Sequence, residues 1–559
     1  MLPLEAFKMN EKKSPLNRRG FLGATAAGAG AINLSAATYA RAIGSNDRMG
    51  IAFVGVGGRC QAHLQIINKR AKNQKDVAAV AVCDVWDGHE AKFTRVTNGK
   101  TEEKLYSQGL YPSAKTVGLD PNDKTHVTKD YRRILDLKEV DVVCIATPDH
   151  WHAKISIDAA QAGKDVYCEK PMTKTIDEAH AVVDVMQKHN RVMAVGVQSM
   201  ADPQWRMANE VIKSGKIGHV AQGQTSYYRN SAVGQWRYYR LYKEQNPKTI
   251  DWDMFLGHQH NIFPNTPLGP KVPFDRAVFG QWRCYWPFGG GMFTDLFVHQ
   301  TTHLIEAMGV RYPRRVVGGG GLYLEYDGRD VPDVATVVAD YGEGCQLSIT
   351  ATMISSYPVE EVIRGRLGTI KFVKGGYIVI KDDPAGGAGI PARLEKTVEG
   401  EFTPSNGPVA TPTWPHSDTE ALWDNFIGCC RARNRATLST PELGAAAFTT
   451  VALGVQSYRT GKALYWDPEA RKPVEADSTW AKRLEERSKQ RAKPNQIIGW
   501  KGGDAGSYLS PPDYMALAGP WVNGQDPADA PKTPGNAAAD TGDEAKPATN
   551  TRRRGKKDN

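Results

Sequence analysis

A regular alternation of short apolar runs and amphipathic segments between Gly50 and Gln198 constrains the fold more than any other feature of this sequence. Continuous apolar strands that alternate with helices predict a parallel sheet covered on both faces. The apolar runs are 51–54, 77–82, 140–146, 165–168 and 192–197, and the helical segments include 152–162 and 176–189. We therefore expect an α/β domain over residues 48–200.

From about residue 200 the pattern changes to longer alternating strands separated by Gly and Pro. These strands are 315–324, 334–340, 345–352 and 369–381, and helices are expected at 203–214, 293–308, 418–431 and 441–460. Such strands predict a second α/β domain over 201–470, with a large, open, mostly antiparallel sheet. We expect the chain to form a homo-oligomer through that sheet.

The end of the chain has a different composition. Residues 471–523 are expected to form a C-terminal extension with a charged surface helix at 474–492. Residues 524–559 are rich in Pro, Ala and Asp, which predicts a disordered tail.

The distribution of charge excludes a nucleic-acid-binding face. The formal net charge is +10, but residues 1–48 and 551–559 together contribute +8 of it. Binding to nucleic acid requires basic residues clustered on the folded body, and the body is nearly neutral. No apolar run is long enough for a stable membrane anchor.

The first 42 residues have the pattern of a targeting segment. Two arginines, Arg18 and Arg19, precede Gly20-Phe21-Leu22 and a mildly apolar run rich in Ala and Gly. This arrangement is typical of a twin-arginine signal peptide, so we expect export to the periplasm by the twin-arginine machinery. A disordered basic leader is the alternative.

The eight cysteines are spread along the chain without the spacing of a metal site or a disulfide framework. Most lie in apolar, strand-like or helical patterns, which predicts buried thiols. An exported protein without disulfides fits a route that transports folded proteins.

The first strand runs directly into a glycine turn, Gly55-Val56-Gly57-Gly58-Arg59-Cys60. Glycines at this position let backbone N–H groups approach a pyrophosphate at a helix N-terminus. Cys60 replaces the third glycine of the dinucleotide-binding pattern, where a small residue is tolerable. A glycine turn in an unrelated α/β protein is the alternative.

The second strand ends at Asp84, 27 residues after Gly57. A carboxylate there can accept hydrogen bonds from the adenosine ribose hydroxyls and would repel a 2′-phosphate. We therefore predict NAD as cofactor in preference to NADP, although Arg59 leaves NADP open.

Two further groups of residues carry chemistry. The fourth strand delivers Lys170 to the carboxyl edge of the sheet, where a cation can hold the cofactor and bind a substrate hydroxyl. In the helix predicted at 293–308, Asp295, His299 and His303 fall on one face. A histidine can remove the hydroxyl proton during hydride transfer, and a carboxylate one turn earlier can orient it.

Two alternatives concern this helix. The three side chains could bind a metal, as in a zinc hydrolase, but Asp295 and His303 would be about 12 Å apart along the axis, and we predict no metal. For His303, packing in the core is favoured over a contact with substrate.

These motifs, in this order, resemble those of the Gfo/Idh/MocA family, which includes glucose–fructose oxidoreductase and inositol dehydrogenase. They are the glycine turn, Ala146-Thr147-Pro148-Asp149-His150-Trp151-His152, Glu169-Lys170-Pro171, and Gly289-Gly290-Gly291 followed by Asp295 and His299. The resemblance covers roughly residues 48–470. It implies a Rossmann domain followed by an α/β domain with a large open sheet.

The resemblance also implies roles for individual residues. Lys170 would contact substrate and nicotinamide, Asp295 would bind substrate, and His299 would be the catalytic acid/base. The cofactor would be bound by Gly55, Gly57, Gly58, Arg59, Asp84, Thr147, Pro148, His152, Glu169 and Lys170. The implied function is an NAD(P)-dependent oxidoreductase that acts on a sugar, polyol or sugar derivative at a secondary alcohol carbon.

Aromatic residues are frequent between residues 227 and 286. Sugar C–H faces stack on such rings, and large aromatics also dominate cores and subunit contacts. We expect one or two of Trp236, Trp282 and Tyr285 to touch substrate.

Export constrains the reaction, because the periplasm should lack a free NAD pool. The cofactor should therefore be retained. Retention favours a reaction that regenerates it, including redox-neutral epimerisation, elimination or glycosidic cleavage. A non-catalytic sugar-binding protein on the same fold is the alternative of a different class.

Overall fold

The computed structural model describes residues 48–97, 100–382, 404–474 and Asp526. The predicted signal peptide at 1–42 lies outside the described residues. So do nearly all of the 471–523 extension, with its charged helix, and of the 524–559 tail. In the part of the chain that the structure describes, no helix is long and apolar enough to cross a bilayer.

The N-terminal domain is built on a six-stranded parallel sheet. Its strands are β1 Met49–Val54, β2 Val77–Cys83, β5 Val127–Thr128, β6 Val142–Ile145, β7 Asp165–Glu169 and β8 Met193–Gly196, in the order β5-β2-β1-β6-β7-β8. The five apolar runs that predict strands are observed as β1, β2, β6, β7 and β8, because both faces of the sheet are covered by helices. An antiparallel hairpin, β3 His89–Thr97 and β4 Lys100–Gln108, follows β2 and was not predicted.

Five helices belong to this domain. They are α1 Cys60–Asn73, α2 Leu110–Thr116, α3 Tyr131–Leu135, α4 Asp149–Gln161 and α5 Ile176–Lys188. Helix α5 begins with a capping box, in which Thr175 and Glu178 each accept a backbone N–H of the other. Helix α4 begins directly after Pro148, which suits the first turn because proline lacks an N–H.

The second domain contains an eleven-stranded sheet. Its strands are β9 Val220–Asn230, β12 Pro313–Gly321, β13 Val334–Tyr341, β14 Cys345–Thr352, β15 Ile354–Ser355, β16 Val362–Gly365, β17 Gly368–Val373, β18 Gly376–Lys381, β19 Val409–Ala410, β20 Leu464–Asp467 and β21 Lys472–Val474. They lie in the order β19-β18-β17-β16-β9-β14-β13-β12-β20-β21, with β15 paired to β9. A separate hairpin is formed by β10 Asn261–Phe263 and β11 Thr266–Pro267. Among the described strands of the large sheet only β9 and β14 pair in parallel, so the mostly antiparallel sheet is confirmed.

Along β13, buried and half-buried residues alternate, so one face of the sheet packs on the core and the other does not. The helices of this domain are α6 Gln204–Lys213, α7 Trp252–Leu256, α8 Arg276–Gly280, α9 Gly291–Asp295, α10 Phe297–Met308, α11 Asp418–Ala432 and α12 Pro441–Thr460. The expected oligomer contact through the open face stays a prediction.

The helix predicted over 293–308 is two helices, α9 and α10, with a break at Leu296. The carbonyl of Asp295 accepts a hydrogen bond from Lys170 Nζ at 2.8 Å. The N–H of His299 donates to the carbonyl of Leu296, at 3.1 Å. The prediction of one uninterrupted helical face was wrong because a side chain from the other domain binds the backbone at this point.

The segment from α11 to the start of α12 returns to the N-terminal domain. Trp423 Nε1 donates to His63 Nδ1 at 2.9 Å, and Arg433 Nη1 donates to Asp165 at 2.5 Å. The N–H of Val195 donates to the carbonyl of Ser439 at 2.9 Å. The N-terminal domain is therefore completed by residues more than 200 positions beyond its predicted end. All eight cysteines are buried free thiols, as the sequence predicts.

Candidate functional site

A cavity lies between the two domains at the carboxyl ends of β1, β2 and β6. It holds about 1190 Å³ of space, part of it open to solvent. Cavities at this edge of a parallel sheet are the usual ligand sites of α/β folds. The predicted site residues that line it are Gly55, Gly57, Gly58, Arg59, Asp84, Thr147, Pro148 and Trp282.

The glycine turn has the geometry that a dinucleotide requires. Gly55 has a φ of +81°, and a Cβ there would lie 2.6 Å from the backbone nitrogen of Thr147, so only glycine fits. At Gly57 a Cβ would meet no atom within 4 Å, which leaves the backbone open for close approach by a phosphate. Cys60, at the third glycine position, is fully buried at the start of α1 and is small enough to pack there.

Two polar groups on the cavity wall suit the rest of the nucleotide. The hydroxyl of Thr147 is buried and has no hydrogen-bond partner among the described residues. Asp84 Oδ1 accepts the N–H of Trp86 at 2.9 Å. Burial raises the pKa of Asp84 to about 6, so this carboxyl group is largely ionised at neutral pH. The residues present fit NAD.

Arg59 is fixed on the opposite side of the glycine turn from Asp84. Its Nε donates to Glu169 Oε1 at 2.7 Å, at the end of β7. Since β2 and β7 are three strand spacings apart, the two sites are separated by about 14 Å. This position favours NAD over NADP, because the Arg59 side chain is paired with Glu169 at the end of β7, whereas Asp84 lies at the end of β2.

Glu169 binds Arg59 and, like Lys170, does not line the cavity, so its assignment to cofactor binding stays a prediction. Its carboxylate is buried, and the Nε2 atom of His63 lies 2.9 Å from the oxygen that binds Arg59. Burial opposes ionisation, but Arg59 and His63 outweigh it and hold the pKa of Glu169 well below its usual range. His63 was missed, and its only signal was a polar residue within the apolar face of α1.

His152 is a structural residue, and its assignment to cofactor binding is corrected. Its side chain is buried, with Nδ1 2.6 Å from the carbonyl of Pro171 and Nε2 2.8 Å from the carbonyl of Thr147. The ring therefore links the loop after β6, at Thr147, to the loop after β7, at Pro171. Thr147 and Pro148, in contrast, face the cavity.

Lys170 and Asp295 meet across the domain boundary, as the motif order implies. Lys170 Nζ donates to Asp295 Oδ1 at 2.6 Å. The same carboxylate also accepts Arg283 Nε at 3.0 Å and the indole N–H of Trp236 at 2.9 Å. Burial disfavours its charge, but Lys170 and Arg283 hold the pKa of Asp295 well below the usual range. Asp295 is thus an anchor for two cations.

His299 lies one turn beyond Asp295, near the ammonium of Lys170. Its imidazole is partly buried and stacks with the ring of Tyr227, with centroids 6.3 Å apart. Burial and the charge of Lys170 lower the pKa of His299 to about 3. The ring is therefore neutral at physiological pH, which is the form that can accept a proton.

The three aromatic candidates for substrate contact have different positions. Trp282 lines the cavity. Trp236 is fully buried and donates to Asp295, so it positions that carboxylate, and a direct substrate contact by Trp236 is corrected. Tyr285 does not line the cavity, and its hydroxyl lies 3.5 Å from Arg237 Nη1.

His303 is a core residue, which confirms the favoured interpretation and rules out the substrate contact. Its ring stacks on Trp205 with centroids 3.9 Å apart. Its Nδ1 lies 3.1 Å from Ser199 Oγ, and its Nε2 lies 2.7 Å from Glu361 Oε1. Among the described residues no group of three or more His, Cys, Asp or Glu side chains could hold a metal ion.

Two residues near Lys170 were not predicted, Asp149 and Arg283. Arg283 lines the cavity and binds Asp295. Asp149 is 3% exposed, and burial raises the pKa of its carboxyl group to about 8, with the charges of Arg283, Asp295 and Lys170 nearby. Asp149 stands inside the Thr-Pro motif, which was its only signal.

The fold and the site define a class of protein: a Rossmann domain with a nucleotide cavity at its sheet edge, closed by a second α/β domain. Residues 49–197 match the family model GFO_IDH_MocA, described as an oxidoreductase family with an NAD-binding Rossmann fold. The N-terminal domain of this chain is therefore similar to the NAD-binding domain of the Gfo/Idh/MocA oxidoreductases.

Relatives are known by sequence. The chain is 24% identical over 275 residues to a glycosyl hydrolase family 109 protein of Shewanella baltica (strain OS185), a match that covers 46% of this chain and 54% of the relative. It is 38% identical over 103 residues to levoglucosan dehydrogenase of Pseudarthrobacter phenanthrenivorans, which covers 18% of this chain and 26% of that protein. The chain thus spans about half the length, or less, of these curated relatives.

Solved structures share the fold. Levoglucosan dehydrogenase in complex with NADH and levoglucosan matches with a TM-score of 0.50 at 18% identity, covering 75% of this chain and 99% of that one. An oxidoreductase domain protein from Kribbella flavida matches with a TM-score of 0.51 at 17% identity, covering 77% of this chain and 100% of that one.

Proposed function

We propose that this protein is an NAD-dependent oxidoreductase that acts on a sugar, polyol or sugar derivative at a secondary alcohol carbon. The observation that carries the proposal is the contact between Lys170 Nζ and Asp295 Oδ1, 2.6 Å long. It joins the two domains beside the neutral imidazole of His299 and next to the nucleotide cavity. A cation and a proton acceptor at the nicotinamide end of a Rossmann domain suit alcohol oxidation.

Each residue has a separate task in this mechanism. Bound NAD supplies the hydride acceptor. The backbone at Gly57 and the start of α1 hold the pyrophosphate, and Asp84 accepts hydrogen bonds from the ribose hydroxyls. Lys170, fixed by Asp295, donates to the substrate oxygen and keeps the reacting carbon in place. His299 accepts the hydroxyl proton, since its ring is neutral before the reaction.

A sugar panel tests this proposal. Reduction of NAD by sugars and polyols is followed by absorbance, and nucleotide content is measured after acid extraction. His299→Ala should lose at least about a hundredfold in turnover while nucleotide content is retained. His189→Ala is the matched control, because this histidine caps the end of α5 and does not line the cavity. Equal activity of the His299 variant and the control would refute the mechanism, and intact sugar binding without turnover in the parent protein would favour a sugar-binding protein.

We further propose that residues 1–42 direct export through the twin-arginine machinery and that NAD is retained after export. Retention is supported by the second domain, whose Tyr239, Gln245 and Phe279 form part of the cavity wall. Trp86, which also lines the cavity, stacks on Tyr242 with centroids 6.4 Å apart.

Export and retention are tested separately. Replacing Arg18 and Arg19 together by lysine should keep the protein in the cytoplasm, as measured by cell fractionation. The purified parent protein should hold NAD through extended dialysis. A protein that is empty after purification and turns over only with added NAD would contradict retention.

A redox-neutral reaction on the same residues is the second candidate. It is supported by relatives described as glycosyl hydrolase family 109 proteins. Product formation from a glycoside without accumulation of NADH would favour it, whereas stoichiometric NADH would favour net oxidation.

We also propose a homo-oligomer formed through the open face of the large sheet. Light scattering coupled to gel filtration should give a mass that is a multiple of the chain's.

A further inference from the structure

Arg283 has a guanidinium group that is anchored on one edge only. It lies in the short 3₁₀ helix Trp282–Cys284, and its Nε donates to Asp295 Oδ1 at 3.0 Å. The guanidinium also lies over the ring of Trp282, 4.1 Å from its centroid, and 5.7 Å from that of Tyr239. These contacts fix the plane of the group.

The two terminal nitrogens of Arg283 form no hydrogen bond with any residue that the structure describes. Arg283 lines the cavity and its side chain is 21% exposed, so these nitrogens are accessible to a ligand. A guanidinium carries five N–H donors in a rigid fork, and four of them remain available here. That fork matches the two oxygens of a carboxylate.

The charges around Arg283 leave one positive charge without a partner. Lys170 and Arg283 share the single carboxylate of Asp295. Asp149 is the other acid nearby, and burial raises its pKa to about 8, so it is mostly neutral at pH 7. Lys174, further along the loop, donates to the carbonyl of Leu268 and has the carboxylate of Glu178 beside it. A partly buried cation without a counter-charge is unfavourable, and an anionic ligand would supply that charge.

The pyrophosphate of the nucleotide does not account for this cation. It belongs at Gly57 and the start of α1, whereas Arg283 shares Asp295 with Lys170 at the end where substrate reacts. A carboxylate carries one negative charge, equal to the excess in the site. A phosphate monoester carries about −1.5 to −2 at neutral pH, which exceeds it.

We propose that Arg283 binds a carboxylate of the substrate, so that the substrate is an acidic sugar such as a hexuronic acid or its glycoside. This inference rests on the proposed function for the use of the cavity as a substrate site. The acidic group, and not the sugar ring alone, then determines which substrate binds.

The test compares acidic and neutral sugars that differ only at C6. The pairs are methyl glucuronide with methyl glucoside, methyl galacturonide with methyl galactoside, and methyl mannuronide with methyl mannoside. The corresponding sugar 6-phosphates are tested beside the acidic and the neutral sugars. Binding to the full chain is measured by titration calorimetry, and NAD reduction is measured in parallel. In at least one pair the acidic member should bind at least about tenfold more tightly than the neutral one.

Arg283→Gln should reduce that acidic-to-neutral ratio by about ten- to a hundredfold, because it removes the charged fork. Arg283→Lys should recover only part of the ratio, since it restores charge without the fork. Arg314→Gln is the control, because this arginine lies in β12, pairs with Glu469 and does not line the cavity. Its ratio should equal that of the parent protein.

The outcomes separate the two proposals. Neutral sugars that reduce NAD through His299, without any preference for an acidic partner, would overturn the role of Arg283 and leave the proposed function intact. Acidic sugars that bind through Arg283 without reducing NAD or yielding product would overturn the proposed function and leave the role of Arg283 intact. Three other results would also overturn the role of Arg283. They are tighter binding of the 6-phosphates than of the acidic sugars, absence of binding by every acidic sugar, and an acidic-to-neutral ratio that Arg283→Gln does not change.

Discussion

Replacing Asp149 by asparagine should remove a pH dependence from the stability of this protein. Asp149 is 3% exposed, and burial raises the pKa of its carboxyl group from 3.8 to about 8. Between these values the folded protein keeps a proton that the unfolded chain releases. Stability therefore falls as pH rises, by about 1.4 kcal/mol per pH unit.

The size of this stability loss depends on how far the pH lies above 3.8, the ordinary pKa of an aspartate. At pH 7, about three units above 3.8, the parent protein has lost about 4 kcal/mol relative to acid pH through this one group. Asparagine keeps the shape of the neutral acid and does not titrate. The stability difference between Asp149→Asn and the parent protein should therefore grow in favour of the variant from pH 5 to pH 7.

Urea unfolding of both proteins at pH 5, 6 and 7 measures this difference. Asp136→Asn gives the background, because Asp136 is an exposed acid at the end of α3. A difference between Asp149→Asn and the parent that stays constant over this range would show that Asp149 is ionised in the folded protein. That result would refute the argument from burial, and the excess positive charge beside Arg283 would no longer hold.

Three further substitutions test other parts of the site. Asp84→Ser should raise the NADP-to-NAD ratio of kcat/KM about tenfold, because it removes a carboxylate that repels a 2′-phosphate; an unchanged ratio in steady-state kinetics would contradict the position given to the ribose. Glu169→Gln should lower the free energy of unfolding at pH 7 by about 1.5–3 kcal/mol, since the depressed pKa of Glu169 means that its contribution is present above pH 4.5 and lost as pH falls. Denaturant unfolding at pH 7 and pH 4 should show the difference shrinking at the lower pH. Trp236→Phe should lower kcat/KM about tenfold with nucleotide content unchanged, because Asp295 loses one donor and holds Lys170 less firmly. Full activity in this variant would show that the indole N–H is dispensable.

The strand pattern of the N-terminal domain could be predicted because its signal is local. A strand buried on both faces is continuously apolar, and β1 and β6 have that composition, whereas β7 carries an acid at each end. The hairpin β3–β4 escaped prediction because its sequence is rich in charged and polar residues that give no such run. The return of α11 to the first domain has no local signal, since it depends on contacts with partners hundreds of residues away.

The site shows the same limit at the level of side chains. Gly55 and Asp84 were located correctly because backbone geometry and strand position determine where they lie. Glu169 and His152 stand in the right motifs but point away from the cavity, and nothing in the motifs determines that direction. Arg283 is in no motif, and only the folded structure brings it to Asp295.

The contacts of α11 with the first domain bear on how the chain folds during synthesis. Trp423 donates a hydrogen bond to His63, which in turn contacts Glu169, and the edge strand β8 donates from Val195 to the carbonyl of Ser439. During synthesis the N-terminal domain emerges from the ribosome first. Its contacts with Trp423 and Ser439 cannot form until residue 439 has also emerged. Incomplete translation products should therefore lack a finished nucleotide site, so that cofactor capture becomes a property of the whole chain and not of its first domain.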